Sequence, residues 1–161
     1  MNADGNAENA LDYKKLKANV KFEGSVTNPG VIDNMLGDIG FKMPSLKLKG
    51  DAIADNQTYS ARFSLLTSAG DLAAKGKVSL TSENYNADLQ VRDVNVAHFA
   101  PDMGIGKVTG TIQANGAGFN PTLSHATTDV KLDVKSLVYN KETLRDIVAD
   151  ITLRDGNYTL S

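Results

Sequence analysis

Few residues in this chain have the types and spacing that catalysis or metal binding needs. The two histidines, His98 and His125, are far apart, have no cysteine beside them and form no helical pair, so they do not make a zinc site. No Gly-x-Ser-x-Gly nucleophile elbow is present. Gly104-Ile105-Gly106-Lys107 has the glycines and lysine of a phosphate loop, but a strand pattern follows where a helix N-terminus is required. The acids Asp93, Asp102, Asp129, Asp133, Asp146 and Asp150 are scattered over turns and wet faces, where solvation accounts for them. Asn56-Gln57-Thr58 and Asn157-Tyr158-Thr159 match glycosylation sequons, yet turn chemistry explains both asparagines. No catalytic residue, metal site or cofactor is expected.

The chemistry therefore has to lie in surfaces. The chain has 161 residues, enough for one domain, and a net charge of −2. No basic field is present to attract nucleic acid or anionic headgroups. Absence of cysteine excludes a disulfide framework. No apolar run approaches the roughly 18 residues of a membrane span. Residues 1–12 are polar and are expected to be a disordered leader. Residues 13–161 are expected to form a single β-rich segment, truncated at its C-terminus inside a strand.

The pattern is clearest from Gly70 to Val96. Leu72, Ala74, Gly76, Val78 and Leu80 share one parity, and Lys75, Lys77, Ser79 and Thr81 the other. After a polar turn, Tyr85, Ala87, Leu89 and Val91 alternate with Asn86, Asp88, Gln90 and Arg92. A period of two gives a strand one apolar face and one wet face. The same alternation runs through 13–27, 46–54, 59–65, 108–114 and 130–134. It is ambiguous over 144–153. Asp155-Gly156-Asn157 signals a hairpin. One helix is predicted near residues 30–39: Asn28 caps it, Pro29 opens it, and Val31, Ile32, Met35, Leu36 and Ile39 follow helical spacing. The count is roughly eight or nine strands, several longer than the usual five or six residues.

Leu46, Leu48, Tyr59, Phe63, Leu65, Leu72, Val78, Leu80, Leu89, Val91, Val108, Ile112, Val130, Leu132 and Val134 are predicted to line one concave apolar surface. Lys75, Lys77, Gln90 and Arg92 are expected outside it. Small residues recur on the apolar parity, among them Ala52, Ala61, Ala74, Gly76, Ala87, Gly110 and Ala114. Bulkier fillers are usual in a closed sandwich. Composition leaves open both that core and a curved sheet around a groove.

Three stretches resemble the AsmA-like family, and within it the TamB proteins, especially Bacteroidetes-type members. They are Tyr85 to Pro101, Gly110 to Gly118 with Asn120-Pro121, and Asp155-Gly-Asn-Tyr158. Their order carries the resemblance, which covers about residues 45–161. It implies a segment of a much longer periplasmic protein held by an inner-membrane anchor. It implies a mainly β fold, a long antiparallel meandering sheet curled into a half-pipe (a β-taco) with an apolar groove. The groove would carry phospholipid acyl chains between inner and outer membranes, without catalysis. Implied partners are neighbouring segments of the same chain and a BamA-like outer-membrane protein. The alternatives are a chaperone-like groove for outer-membrane protein assembly and a purely structural β-domain.

Overall fold

A computed structural model describes residues 2–28, 30, 44–120 and 125–161. Ten strands form one antiparallel sheet in sequence order. They are β1 (Asn2–Glu8), β2 (Lys17–Val26), β3 (Leu46–Asp55), β4 (Thr58–Thr67), β5 (Gly70–Ser79), β6 (Asn84–Asn95), β7 (Ile105–Ala117), β8 (Thr127–Tyr139), β9 (Glu142–Arg154) and β10 (Asn157–Leu160). The sheet is not closed. Residues 2–8, inside the expected polar leader, pair with β2 residue for residue and supply the strand that the sequence reading did not count. The ambiguous stretch 144–153 belongs to β9. The helix predicted near residues 30–39 lies almost wholly outside the described residues.

Tight turns hold the meander together. Asn56 and Gln57, Asn140 and Lys141, and Asp155 and Gly156 each carry two consecutive positive φ angles. That is the type I′ geometry whose twist suits a two-residue hairpin. Short polar side chains and glycine tolerate it best, which explains the Asn, Asp and Gly at these corners. The β6–β7 connection is longer and contains two 3-10 turns, Val96–His98 and Pro101–Met103.

Register decides which side chains share a face, because directly paired residues point the same way. Phe22 pairs with Gly50, Gly50 with Phe63, Phe63 with Ala74, Ala74 with Leu89, Leu89 with Ile112, Ile112 with Leu132 and Leu132 with Ala149. The apolar parity of eight strands thus lies in one continuous row across the sheet. Bulges keep it so further along the strands. In β6 the parity changes between Val91 and Val94, and an extra residue there sets Val94 opposite Val108. Asp93 sits in the bulge with φ 50, and its N–H donates to Thr109 Oγ1 at 2.9 Å. An aspartate accepts the left-handed backbone that a branched side chain resists.

No second layer covers this sheet among the described residues. The buried apolar residues there, glycine aside, are Pro44, Ala69, Ala126 and Leu153. Phe63 and Ile112, in the middle of the apolar row, are 38% and 36% exposed. A sandwich of this length would hide such residues completely.

The bulge yields a test. Asp93→Val forces a β-branched residue into left-handed backbone and should cost about 1–2 kcal/mol of stability, while Asp93→Gly should stay within about 0.5 kcal/mol. Urea unfolding of the three proteins measures the difference. Equal losses in both variants would mean that the backbone at Asp93 is not held in this conformation.

Candidate functional site

The apolar face contains four more rows beside the central one. Gly24, Leu48, Leu65, Leu72, Val91, Gly110, Val134 and Ile147 pair in succession on one side of it. Beyond them lie Leu46 and Val108, the latter paired with Val94 and Leu137. On the other side Val20, Ala52, Ala61, Gly76, Ala87, Ala114 and Val130 form a low row. Tyr59, Val78 and Tyr85 stand beyond that row. All the residues predicted to line the apolar surface therefore share this face of the sheet except Leu80. Leu80 falls in the β5–β6 turn, where its N–H donates to the Gln57 carbonyl at 2.9 Å. It keeps the parity of Val78, but the strand stops at Ser79.

Large side chains on this face lie over glycines on the neighbouring strand. A Cβ at Gly50 would collide with the Phe22 ring, and one at Gly116 with the Tyr85 ring. The aromatic ring covers backbone that the glycine leaves bare. Tyrosine hydroxyls along the edge of the low row are hydrogen bonded. Tyr59 donates to the Tyr13 carbonyl at 3.0 Å, and Tyr85 shares a 2.6 Å hydrogen bond with Thr128 Oγ1. Phe119 stacks on Tyr85 with ring centres 6.5 Å apart. The rows are thus fixed in place by contacts within the sheet itself.

The opposite face is a ladder of charges. Asp4, Lys21, Asp51, Arg62, Lys75, Asp88 and Gln113 pair in succession. Arg62 and Lys75 are like charges set directly opposite, a repulsive arrangement. Each turns to the acid on its other side. The Arg62 guanidinium bonds Asp51, and Lys75 Nζ lies 3.1 Å from Asp88 Oδ2. Further along, Arg154 grips Asp129 with two hydrogen bonds of 2.6 and 2.8 Å. Hydrogen bonds from Lys75 and then Gln113 hold the Asp88 carboxyl below its ordinary range.

A hollow of about 730 Å³ lies against this charged face of β1–β6. Lys75 and Gln90 stand in its wall, with Lys21, Lys49, Asp51, Arg62 and Asp88. Lys75 and Gln90 were expected outside the concave apolar surface; they do lie on the face opposite the apolar rows, and it is that face which carries this hollow. Alternation specifies which residues share a face; it does not specify which face is hollow. A twisted sheet is saddle-shaped and bends toward each face along a different diagonal.

His98 and His125 sit at opposite ends of β7, in the connections before and after it. A 13-residue strand puts its ends roughly 40 Å apart, so they share no site. His98 packs edge-on against Phe99, with ring centres 5.0 Å apart. Lys107 lies on β7, and no helix follows Gly104-Ile105-Gly106. Among the described residues, no three His, Asp or Glu side chains converge on a metal position. Comparison with family models, curated proteins and solved structures finds no match.

The pairing of Lys75 with Asp88 predicts an acid-side effect. A carboxyl whose folded pKa is depressed contributes stability that is present above its unfolded pKa, about 3.9, and lost as pH falls through the folded value. Lys75→Met should therefore lower stability near neutrality slightly and flatten the fall in thermal midpoint below about pH 4. Melting curves from neutral pH into that range check it. An unchanged acid slope would show that Lys75 does not act on Asp88 in solution.

Proposed function

We propose that the apolar face is a non-enzymatic carrying surface for phospholipid acyl chains. The observation that supports it most is the continuous apolar row from Phe22 to Ala149 with no layer packed upon it among the described residues. Eight strands spaced about 4.8 Å apart, with several rows two residues apart, give a face on the order of 1,000 Å². Water-soluble chains seldom leave more than a few hundred Å² of contiguous apolar surface open unless something binds there. An acyl chain laid on such a surface gains about 0.8 kcal/mol per buried methylene. The contact has no preferred direction along the row, so a chain can shift without breaking specific bonds. The low row through Ala61, Gly76, Ala87 and Ala114 leaves space at chain height between taller residues.

The charged hollow is the less suitable carrier. Asp4, Glu23, Asp51 and Asp88 balance Lys21, Lys49, Arg62 and Lys75 around it, so it has no net charge to hold a headgroup. The resemblance to AsmA-like and TamB proteins adds the wider setting to this proposal. The sheet would be part of a half-pipe in the periplasm, within an inner-membrane-anchored protein that delivers lipid toward the outer membrane beside a BamA-like partner.

Leu89→Asp tests the reading. On an open face the new carboxylate reaches water, and the loss should be about 1 kcal/mol; in a dry core it would be several. The variant should keep its melting transition and lose most photocrosslinking to a phospholipid with a diazirine-bearing acyl chain, supplied in vesicles. Asn86→Asp, on the charged parity, should crosslink like the unaltered protein. If Leu89→Asp folds and still crosslinks fully, the face is not a lipid track. If it cannot fold, the face is covered in solution.

A further inference from the structure

We propose that the apolar face, when nothing is laid on it, packs against the same face of a second copy of this chain about a two-fold axis. The inference rests on the apolar rows and not on lipid being their cargo. Self-association and lipid crosslinking are separate readings. Charge, relief and area each point to the second copy.

From β2 to β8 the rows of this face hold no charged side chain. Two copies can meet face to face with no like charges between them, and both charged ladders point away from the join. The area is sufficient. A face on the order of 1,000 Å² on each copy gives a dimer that buries about 2,000 Å². That exceeds the about 1,600 Å² of a standard specific complex and reaches the range of obligate homodimers. Phe63 and Ile112, 38% and 36% exposed in the single chain, would be hidden.

The relief of the face is self-complementary. The central row is a ridge, with Phe63, Leu89, Ile112 and Leu132 standing in it. Beside it the low row is a trough through Ala61, Gly76, Ala87 and Ala114. The middle of this trough is not filled from its own sheet. At Gly50 and Gly116 an aromatic ring covers the bare backbone. At Gly76 the nearest side-chain atom to an added Cβ is the Ala87 Cβ, 3.9 Å away. Native packing density requires other atoms there. A two-fold axis parallel to the rows, midway between ridge and trough, exchanges the two. The ridge of each copy then lies in the trough of the other. At β6, Leu89 of one copy stands over Ala87 of its mate, twice. Both sheets carry the same twist, so they meet at the angle of about 30° usual for aligned sandwiches. The contact is isologous and closes at two copies.

The test is sedimentation velocity of the whole chain without lipid or detergent. The unaltered chain should run as a dimer at micromolar concentration. Ala87→Leu fills the trough and should raise the dissociation constant about tenfold or more. The direction separates docking from unspecific adhesion, because added apolar surface would strengthen the latter. Combining Ala87→Leu with Leu89→Ala exchanges ridge and trough on β6 at unchanged composition. The double variant should return close to the unaltered dissociation constant. Ala114→Leu fills the same trough on β7 and should also weaken the dimer, a second reading should Ala87→Leu lose its melting transition. A monomeric unaltered chain, or aggregates with no dimer boundary, overturns the proposal. So do trough-filling variants that associate as tightly as the unaltered chain, or a double variant that stays as dissociated as Ala87→Leu.

Discussion

The structure depends on one constraint, the side-chain period of two carried in register through successive antiparallel pairs. A slip of one residue between any two strands would move a whole apolar set to the charged face. The cost would be paid on both sides at once, because Phe22, Phe63 and Leu89 would meet the ladder of Lys21, Asp51 and Arg62. Alternation therefore forbids slips of one residue, and the two-residue type I′ corners at Asn56, Asn140 and Asp155 exclude slips of two at those reversals.

Where the sequence departs from strict alternation, the backbone departs with it. The change of parity after Val91 is met by the bulge at Asp93, and the rows run on through Val94 and Val108. β9 shows the same device at Asp146. Each uses an aspartate, a residue that tolerates positive φ and can remain solvated on the wet side. Scattered acids that look like surface decoration thus include two that keep the apolar rows aligned. The other face turns its one repulsive contact, Arg62 beside Lys75, into two outward ion pairs. Such exposed pairs add little stability. Their effect here is to relieve the contact between Arg62 and Lys75 by turning each toward an acid.

Much of this was legible in the residues. The strands β2 to β8 follow from alternation, while β9 was ambiguous because its apolar residues do not keep one parity, and the shared face of Leu48, Phe63, Leu72, Leu89, Ile112 and Leu132 follows from parity. Leu80 was misplaced because its parity continues past the point where the turn begins. Asn2–Glu8 was missed because Asn, Ala, Asp and Gly carry no strand propensity; its place comes from pairing with β2, which is a tertiary effect. The hollow beside Lys75 and Gln90 could not be read at all. Its side is set by the sum of twist, bulges and glycine–aromatic contacts over several strands, and no local pattern encodes that sum.

The central claim is that one uncovered apolar face continues through the sheet and across the bulge. Single cysteines introduced from Ala87 to Val96, spin-labelled and probed for oxygen accessibility in the presence of phospholipid vesicles, test it most directly. The account predicts high oxygen contact at Ala87, Leu89 and Val91, low contact at Asp88, Gln90 and Arg92, and a phase shift at Asp93 that makes Val94 high again. A pattern without the period of two, or one that runs past Asp93 without shifting, would contradict it.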